Sequence, residues 1–291
     1  MRVTRLYENK KPVISMEFFP PRNEKAAATF GALIDKLAVH QPDYMSVTFG
    51  AGGSTRDGSY QTVKEVMIDK KQPTVAYIAG FGLGPDDIRA VLDKYKELGV
   101  ETIFVIRGDQ PRETEFTPHP HSFPYAADMI AFIKKHYDFT LGCAGYPEGH
   151  IEAQSLENDI ACLKKKVDNG ADYVVTQYFY DNAFYYEYVD KCLAKGVQAP
   201  IVPGVMPVYS VKMTQMLSSV CGSSITKKLQ QRLDAVDADN KDAVQNVGIE
   251  FATEQCRELL KAGVPGLHFY TMDRSQSTCE ILNRLKQEKL L

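Results

Sequence analysis

The sequence predicts a single (β/α)₈ barrel that spans residues 1–291. The first observation behind this prediction is that short apolar runs rich in Val, Ile, Phe and Tyr alternate with longer segments of helical period along the whole chain. The second is that eight such runs occur, as a closed barrel of this class requires. The third is that no stretch has the composition of a separate second domain; 44% hydrophobic and 24% charged residues are ordinary globular proportions.

Each strand candidate is short and is followed by a segment long enough to return the chain to a parallel strand. The strand candidates lie at 13–19, 43–50, 73–80, 102–108, 140–146, 173–179, 200–206 and 266–272.

Amphipathic segments between these strands predict the helices, and several of them precede a glycine of the kind that ends a helix. They lie at 24–38, 85–97, 124–137, 155–169, 182–195 and 242–262, with a terminal helix at 275–288. The connection after the seventh strand is longer and more polar around a short helical pattern. We therefore expect 217–241 to be an insertion on the loop side of the barrel.

The charge and cysteine patterns favour a small-molecule partner. Lys and Arg number 34 against 37 Asp and Glu, for a net charge of −3 with both signs scattered, which argues against binding nucleic acid or an anionic membrane surface. The 6 cysteines lie far apart without a C-x-x-C pair, which is typical of reduced thiols. No signal peptide and no apolar run near the roughly 18 residues of a membrane span is visible, so we expect a cytoplasmic protein.

Polar residues collect where the predicted strands end, and barrel enzymes place their chemistry at this rim. The residues at these strand ends are Glu17, Thr48, Arg107, Gly108, Asp109, Tyr146, Glu148, His150, Gln177, Asp273 and Arg274.

Glu17 lies on the strand face that also carries Val13 and Ser15, while the neighbouring apolar residues alternate onto the other face. A carboxyl group desolvated near the barrel mouth has its pKa raised, which suits a general acid that works near neutral pH. The alternative is an ion-paired structural glutamate, and the residues alone leave both readings open.

Arg107-Gly108-Asp109 directly follows an apolar strand. The glycine allows close approach of the backbone, and Asp109 can accept hydrogen bonds from planar N–H donors such as those of a pterin ring. A salt-bridged turn is the alternative. The glycine-rich segment 80–84 imitates part of a dinucleotide fingerprint, but Pro85 stands where the third glycine belongs. His119 and His121 lack accompanying carboxylates, so we expect no metal site.

Eight distinctive segments occur in order along the chain. They are MEFFPPR at 16–22, SVTFG at 46–50, RGD at 107–109, AGYPEGH at 144–150, KVDNGAD at 166–172, TQYF at 176–179, PGVMP at 203–207 and HFYTMDR at 268–274. Taken together they resemble the methylenetetrahydrofolate reductase family in its compact bacterial form, which is a catalytic barrel alone. The resemblance covers nearly the whole chain.

This resemblance implies a flavoprotein of one-carbon metabolism and methionine biosynthesis that reduces 5,10-methylenetetrahydrofolate to 5-methyltetrahydrofolate. It implies a TIM barrel with FAD lying across its C-terminal rim. NADH or NADPH reduces the flavin, and folate then replaces the nicotinamide on the same flavin face, which is a ping-pong hydride relay. Bacterial members tend to form homo-oligomers, so the resemblance allows a homo-oligomer here.

The resemblance also implies roles for individual residues. Glu17 matches the acid that protonates N10 of the folate, and Asp109 matches an aspartate beside the flavin pyrimidine that also holds the pterin. Gln177 matches a residue that contacts both substrates in turn, and Arg274 matches one near the aminobenzoyl-glutamate portion. The positions that match flavin-binding residues are Thr48, Ala51, Arg107, Gly108, Asp109, Tyr125, Ala126, Tyr146, His150, Ala153, Asp159, Lys165 and Lys166.

The sequence departs from the family pattern at four other positions. Thr74 stands for a histidine that contacts flavin, Phe49 for a frequent tyrosine, Cys162 for a frequent asparagine, and Val211 for an aromatic residue that stacks on folate. These departures keep a second hypothesis open, a folate-binding or reductase subunit that depends on a separate redox partner. A Schiff-base aldolase or metal-dependent hydrolase is disfavoured, because no predicted strand ends in lysine and no His and Asp cluster is present.

Overall fold

The computed structural model describes residues 1–9, 12–50, 56–109 and 117–291. Nine parallel strands form one sheet in the order β7-β6-β5-β4-β3-β2-β1-β9-β8. The strands are β1 Val13–Phe18, β2 Tyr44–Val47, β3 Thr74–Ala79, β4 Thr102–Ile106, β5 Thr140–Gly145, β6 Tyr173–Thr176, β7 Ile201–Val202, β8 Gly204–Val205 and β9 Gly266–Tyr270.

Helices precede, connect and follow these strands. They are α1 Thr4–Tyr7, α2 Glu24–Ala38, α3 Arg56–Lys64, α4 Pro85–Leu98, α5 Ala126–His136, α6 Leu156–Asp168, α7 Asn182–Ala194, α8 Val211–Cys221, α9 Lys227–Asp234, α10 Lys241–Lys261 and α11 Gln276–Gln287, and a π-helical turn, Glu65–Asp69, continues α3.

The two edge strands of this sheet, β7 and β8, are consecutive in the chain and are separated only by Pro203. β7 pairs with β6, β8 pairs with β9, and the Pro203 carbonyl accepts a hydrogen bond from the His268 amide at 3.0 Å. Proline has no N–H to give to a ladder, so the strand is interrupted at this point. The short pair nevertheless joins both edges and makes a nearly closed barrel, which confirms the predicted (β/α)₈ class.

Alternation along β1 separates two apolar cores. Val13 packs inside the barrel with aromatic residues from β2, β3, β4 and β6, whereas Ile14, Met16 and Phe18 pack outward against the helices. Glu17 shares the inward face with Val13, because side chains two residues apart lie on the same side of a strand. This arrangement confirms the predicted faces of the first strand.

The N-terminal segment covers the amino end of the barrel. Val3 is fully buried, and its amide donates to the Thr102 hydroxyl at the start of β4. The Tyr7 hydroxyl lies 3.2 Å from the Tyr44 hydroxyl at the start of β2. With this end covered, the carboxyl ends of the strands form the rim where the predicted site residues lie.

The eight predicted strands and the predicted helices are confirmed with small differences at their ends, and the seventh predicted strand is divided into β7 and β8. The helices α1, α3 and α8 were not among the predicted ones. The short helical pattern expected within 217–241 is α9. The region 217–241 therefore contains the end of α8, all of α9 and two turns, and its description as an insertion stays a prediction. No helix in the described ranges is both long and apolar enough to cross a bilayer.

Candidate active site

Glu17 lies at the carboxyl end of β1 with its side chain inside the barrel, and only 8% of the residue is exposed. Its Oε2 atom accepts a hydrogen bond of 2.5 Å from the Tyr77 hydroxyl on β3. His268 on β9 approaches the same oxygen, with Nε2 at 3.5 Å. The Thr271 hydroxyl donates to the backbone carbonyl of Glu17 at 2.6 Å, so the strand that carries the carboxylate is fixed as well.

The neighbours of Glu17 are themselves held in place. The Tyr77 ring stacks on Phe104 with 4.4 Å between ring centroids. Ser15 Oγ lies 2.8 Å from His268 Nδ1, which orients the imidazole across the junction of β1 and β9. Burial, followed by the nearby charge of Glu17, raises the pKa of Tyr77 well above its usual value. Tyr77 is therefore a neutral donor at physiological pH.

Asp109 follows β4 and lies in a charged part of the rim. Its negative charge acts on Arg107, Tyr146 and His150. Gly108 has φ of +81°, and a Cβ atom there would stand 3.0 Å from the Ala79 Cβ. A glycine is therefore required for the chain to turn here and present Asp109.

Arg107 contributes to the same part of the rim, where it forms an ion pair with Glu152 at 2.7 Å. This pair raises the pKa of Arg107, first through the hydrogen bond to Glu152. Burial lowers the pKa of His150, because it disfavours the charged form of the imidazole. The His150 ring lies edge-on to the Tyr146 ring, with 4.7 Å between the ring centroids.

Asp159 and Lys166 on α6 face this rim together with Tyr146. The Lys166 ammonium donates to the Ala144 carbonyl at 2.6 Å and lies 5.7 Å from the centre of the Tyr146 ring. Burial raises the pKa of Asp159 to about 6, an effect that Lys166 opposes. The Asp159 Oδ2 atom is buried without a hydrogen-bond partner among the described residues. An unsatisfied buried carboxylate oxygen is costly, so this atom is suited to accept from a ligand hydroxyl.

The other matched flavin positions divide into three groups. Thr48, Tyr125, Ala126 and Ala153 lie in the loops or at the helix start that border the rim, and Tyr125 is 65% exposed at the N-terminus of α5. Lys165 is exposed on α6, one position away from the inward-facing Lys166. Ala51 lies outside the described residues.

Gln177 follows β6 and lines a small cavity with Tyr146, Glu148 and Cys221. Its backbone amide donates to the Gly145 carbonyl at 2.8 Å, which ties the end of β6 to the end of β5. Gln177 thereby lies near Tyr146, a residue on which the charge of Asp109 acts.

Arg274 follows β9 and has a different setting. Its guanidinium carbon lies 5.3 Å from the centre of the Tyr209 ring, within range of a cation–π contact. It lines a groove of about 570 Å³ with Phe19, Lys36 and Asp273. The Phe19 amide donates to Asp273 Oδ1 at 3.0 Å, so the loop after β9 is anchored to the end of β1.

All four residues expected around one cavity, Glu17, Asp109, Gln177 and Arg274, lie at the carboxyl ends of strands. Among the cavities lined by described residues, Gln177 and Arg274 line separate ones. Their sharing of one ligand stays a prediction.

Tyr270 connects the parts of this rim. Its hydroxyl donates to the Thr176 carbonyl at 2.8 Å, and its pKa is raised by burial and then by the charges of Glu17 and Tyr146. Sequence reasoning named neither Tyr270 nor Tyr77 nor His268 as a site residue. Their positions on inward strand faces, together with the adjacency of first and last strands in a closed barrel, are the signal that points to them.

One departure from the family pattern lies away from this rim. Thr74 is the first residue of β3, at the amino end of the barrel, and its hydroxyl donates to the Gln72 carbonyl at 2.8 Å. Cys162 is exposed on α6, the helix that also carries Asp159 and Lys166.

Comparison with known proteins shows the family of the chain. The family model described as methylenetetrahydrofolate reductase matches residues 2–286. The 5,10-methylenetetrahydrofolate reductase of Escherichia coli is 31% identical over 272 residues, which cover 94% of this chain and 90% of that protein. Methylenetetrahydrofolate reductase (NADH) 1 of Zea mays is 32% identical over 94% of this chain and 48% of its own length. The chain thus spans about half the length of the plant relatives it matches.

Solved structures share the fold at low sequence identity. A Clostridium thermocellum protein, described as binding two copies of 5-methyl-5,6,7,8-tetrahydrofolic acid, superposes with a TM-score of 0.65 at 16% identity and 99% coverage of both chains. A 2,3-dimethylmalate lyase superposes with a TM-score of 0.54 at 10% identity, covering 99% of this chain and 85% of that one. At these identities the likeness shows the fold alone.

Proposed function

Because the chain belongs to the methylenetetrahydrofolate reductase family, we propose that it reduces 5,10-methylenetetrahydrofolate to 5-methyltetrahydrofolate with NADH or NADPH as reductant. The observation that carries this proposal is Glu17, a buried carboxylate at the carboxyl end of β1 whose Oε2 accepts from Tyr77. A carboxyl group in this position can donate a proton to a substrate bound at the rim.

Glu17 acts as the general acid in this proposal. Its carboxyl group gives a proton to N10 of the folate, the methylene bridge opens to an iminium carbon, and Glu17 is left as a carboxylate. The Thr271 hydroxyl donates to the backbone carbonyl of Glu17, and the Tyr77 hydroxyl donates to its side chain. These two hydrogen bonds hold the acid in place, so little reorganisation accompanies the transfer.

The rim around α6 fits a bound flavin dinucleotide. Asp159 offers an unsatisfied buried oxygen to a ribose hydroxyl, and Lys166 and Arg107 provide positive charge for the phosphates. The N-terminus of α5 at Tyr125 and Ala126 offers further backbone donors. When bound, FAD supplies hydride carriage between the nicotinamide and the folate, and we assign that role to it here.

The remaining rim residues bind and orient the folate. Asp109, exposed on the loop after β4, accepts from the N–H groups of the pterin ring. Gln177 contacts nicotinamide and folate in turn, because one site serves both half-reactions. The exposed Arg274 guanidinium attracts the glutamate carboxylates of the folate.

The absorption spectrum and two anaerobic half-reactions test the proposal. The purified chain is expected to show flavin absorbance that is bleached by NADH or NADPH and restored by methylenetetrahydrofolate. A chain that is bleached by neither nucleotide, even after reconstitution with FAD, contradicts the proposal. Reduction that begins only when a second protein is added supports instead the hypothesis of a subunit that depends on a redox partner.

A further inference from the structure

We propose that Tyr77 is a positioning residue for the acid Glu17. By its hydrogen bond to one carboxyl oxygen, Tyr77 determines which oxygen of Glu17 carries the transferred proton. This inference rests on the proposed function and extends it to a residue on a strand that is not adjacent to β1. Tyr77 lies on β3, and β2 separates it from β1 in the sheet. In an eight-stranded barrel, alternate strands contribute side chains to the same interior layer, so β1 and β3 meet across the interior.

Both side-chain contacts of the Glu17 carboxylate in the described part of the chain involve the same oxygen. The Tyr77 hydroxyl donates to Oε2 at 2.5 Å, and His268 Nε2 lies 3.5 Å from Oε2. An oxygen that accepts a hydrogen bond from a neutral phenol is the carbonyl oxygen of the protonated acid. The acidic proton is therefore held on Oε1, and after transfer the hydroxyl of Tyr77 stabilises the carboxylate that remains.

Tyr77 is built for this role by its surroundings. Only 5% of the residue is exposed, and its ring is fixed by stacking on Phe104. Burial keeps the phenol neutral, so it donates its proton in a hydrogen bond and does not compete with Glu17 as an acid. The titratable groups that face the carboxylate from the packed strands and the loop after β9 are Tyr44, Tyr77, His268, Tyr270 and Asp273.

Replacement of Tyr77 by phenylalanine tests the contribution of the hydroxyl separately from that of the ring. Tyr77→Phe keeps the stack on Phe104 and removes only the donor to Oε2. We expect the rate of the folate half-reaction to fall by about 10- to 100-fold while flavin reduction by NADH or NADPH is unchanged, because only the acid loses its orientation. The pH–rate profile of this half-reaction is also expected to change, since the hydrogen-bond donor to Oε2 is gone.

One variant controls for the loss of a buried hydrogen bond. Tyr185→Phe removes a buried hydroxyl that donates to the Ile201 carbonyl at 2.7 Å and lies in the outer core. It is expected to keep the wild-type pH profile, and circular dichroism confirms that each variant is folded.

A double variant tests whether Tyr77 acts through Glu17. In a Glu17→Gln background, Tyr77→Phe is expected to cause no further loss of the folate half-reaction, because the group it positions is no longer an acid. A Tyr77→Phe profile that matches the Tyr185→Phe profile, or additive losses in the double variant, would overturn the inference. A wild-type chain that cannot reduce methylenetetrahydrofolate contradicts the proposed function instead, so the two failures are distinguishable.

Discussion

Ser15 and His268 join the first and last long strands of the barrel through a contact of 2.8 Å between Ser15 Oγ and His268 Nδ1. The two residues are opposite each other in the register of β1 and β9. Their contact orients the imidazole whose other nitrogen faces Glu17. The junction of β1 with β9 and the orientation of the imidazole beside Glu17 therefore share this contact.

Ser15→Ala is expected to lower the free energy of unfolding by about 1 kcal/mol, the usual net value of a buried hydrogen bond. Urea denaturation measures this change. Ser46→Ala is the matched control, because Ser46 is equally buried and donates to the Met16 carbonyl at 3.3 Å. We expect only Ser15→Ala to slow the folate half-reaction, and an equal slowing in both variants contradicts a special role for the imidazole.

Glu17→Gln is expected to reduce the folate half-reaction to a small residual rate and to leave flavin reduction by NADH or NADPH intact. Glutamine keeps the size and the hydrogen bond from Tyr77 but has no acidic proton to give. Stopped-flow absorbance resolves the two half-reactions. Full retention of folate reduction, or an equally severe loss of flavin reduction, would remove Glu17 from the role of acid.

Gly108→Ala is expected to destabilise the protein more than Gly263→Ala does. Both glycines have positive φ, +81° and +78°, so both variants carry the backbone strain of about 1–2 kcal/mol. Only at Gly108 does the added Cβ meet another atom, the Ala79 Cβ at 3.0 Å. Thermal unfolding measures both effects. We also expect Gly108→Ala alone to weaken folate binding, since it displaces Asp109, and equal binding by both variants contradicts this placement.

The stability of the cofactor-free chain is expected to fall as the pH rises from about 4 to about 6, because of Asp159. Burial raises the pKa of this carboxyl from its usual value near 4 to about 6. In that window the unfolded chain has lost the proton and the folded chain still holds it, so stability decreases as pH rises and levels off above pH 6.

Asp159→Asn removes this titration and is expected to raise the free energy of unfolding at pH 7 by up to about 3 kcal/mol, with no gain at pH 4. Urea denaturation at the two pH values measures the effect. Asp168→Asn is the control, because Asp168 is exposed on the same helix and pairs with Lys164. A gain that is independent of pH, or one shared by both variants, contradicts the explanation from burial.

The residues of β1 show how far prediction from sequence reaches. A period of two along 13–18 is enough to put Glu17 inside and Met16 outside, because the faces of a strand are a local property. The eight-fold alternation of strands and helices then predicts the barrel and the rim. Motif resemblance named Asp159 and Lys166, which the fold brings together beside Tyr146.

The residues that contact Glu17 required the tertiary structure. Tyr77 is 60 positions away in the chain and His268 is 251 away. Their approach depends on the stagger of strands around the closed barrel, and stagger is set by packing over the whole sheet. Thr74 illustrates the same difficulty. Its alignment with a flavin-contacting histidine implied a position at the rim, but Thr74 is the first residue of β3 and lies at the opposite end of the barrel.

By itself, the sequence determined the fold class, the inward face of the first strand and the family, since local periodicity and short motifs encode these. The tertiary structure alone decided which oxygen of Glu17 is hydrogen-bonded, that Asp159 keeps an unsatisfied oxygen, and that Arg274 lies over Tyr209. These contacts join distant parts of the chain, and only closure of the barrel brings such parts within a few ångströms of each other.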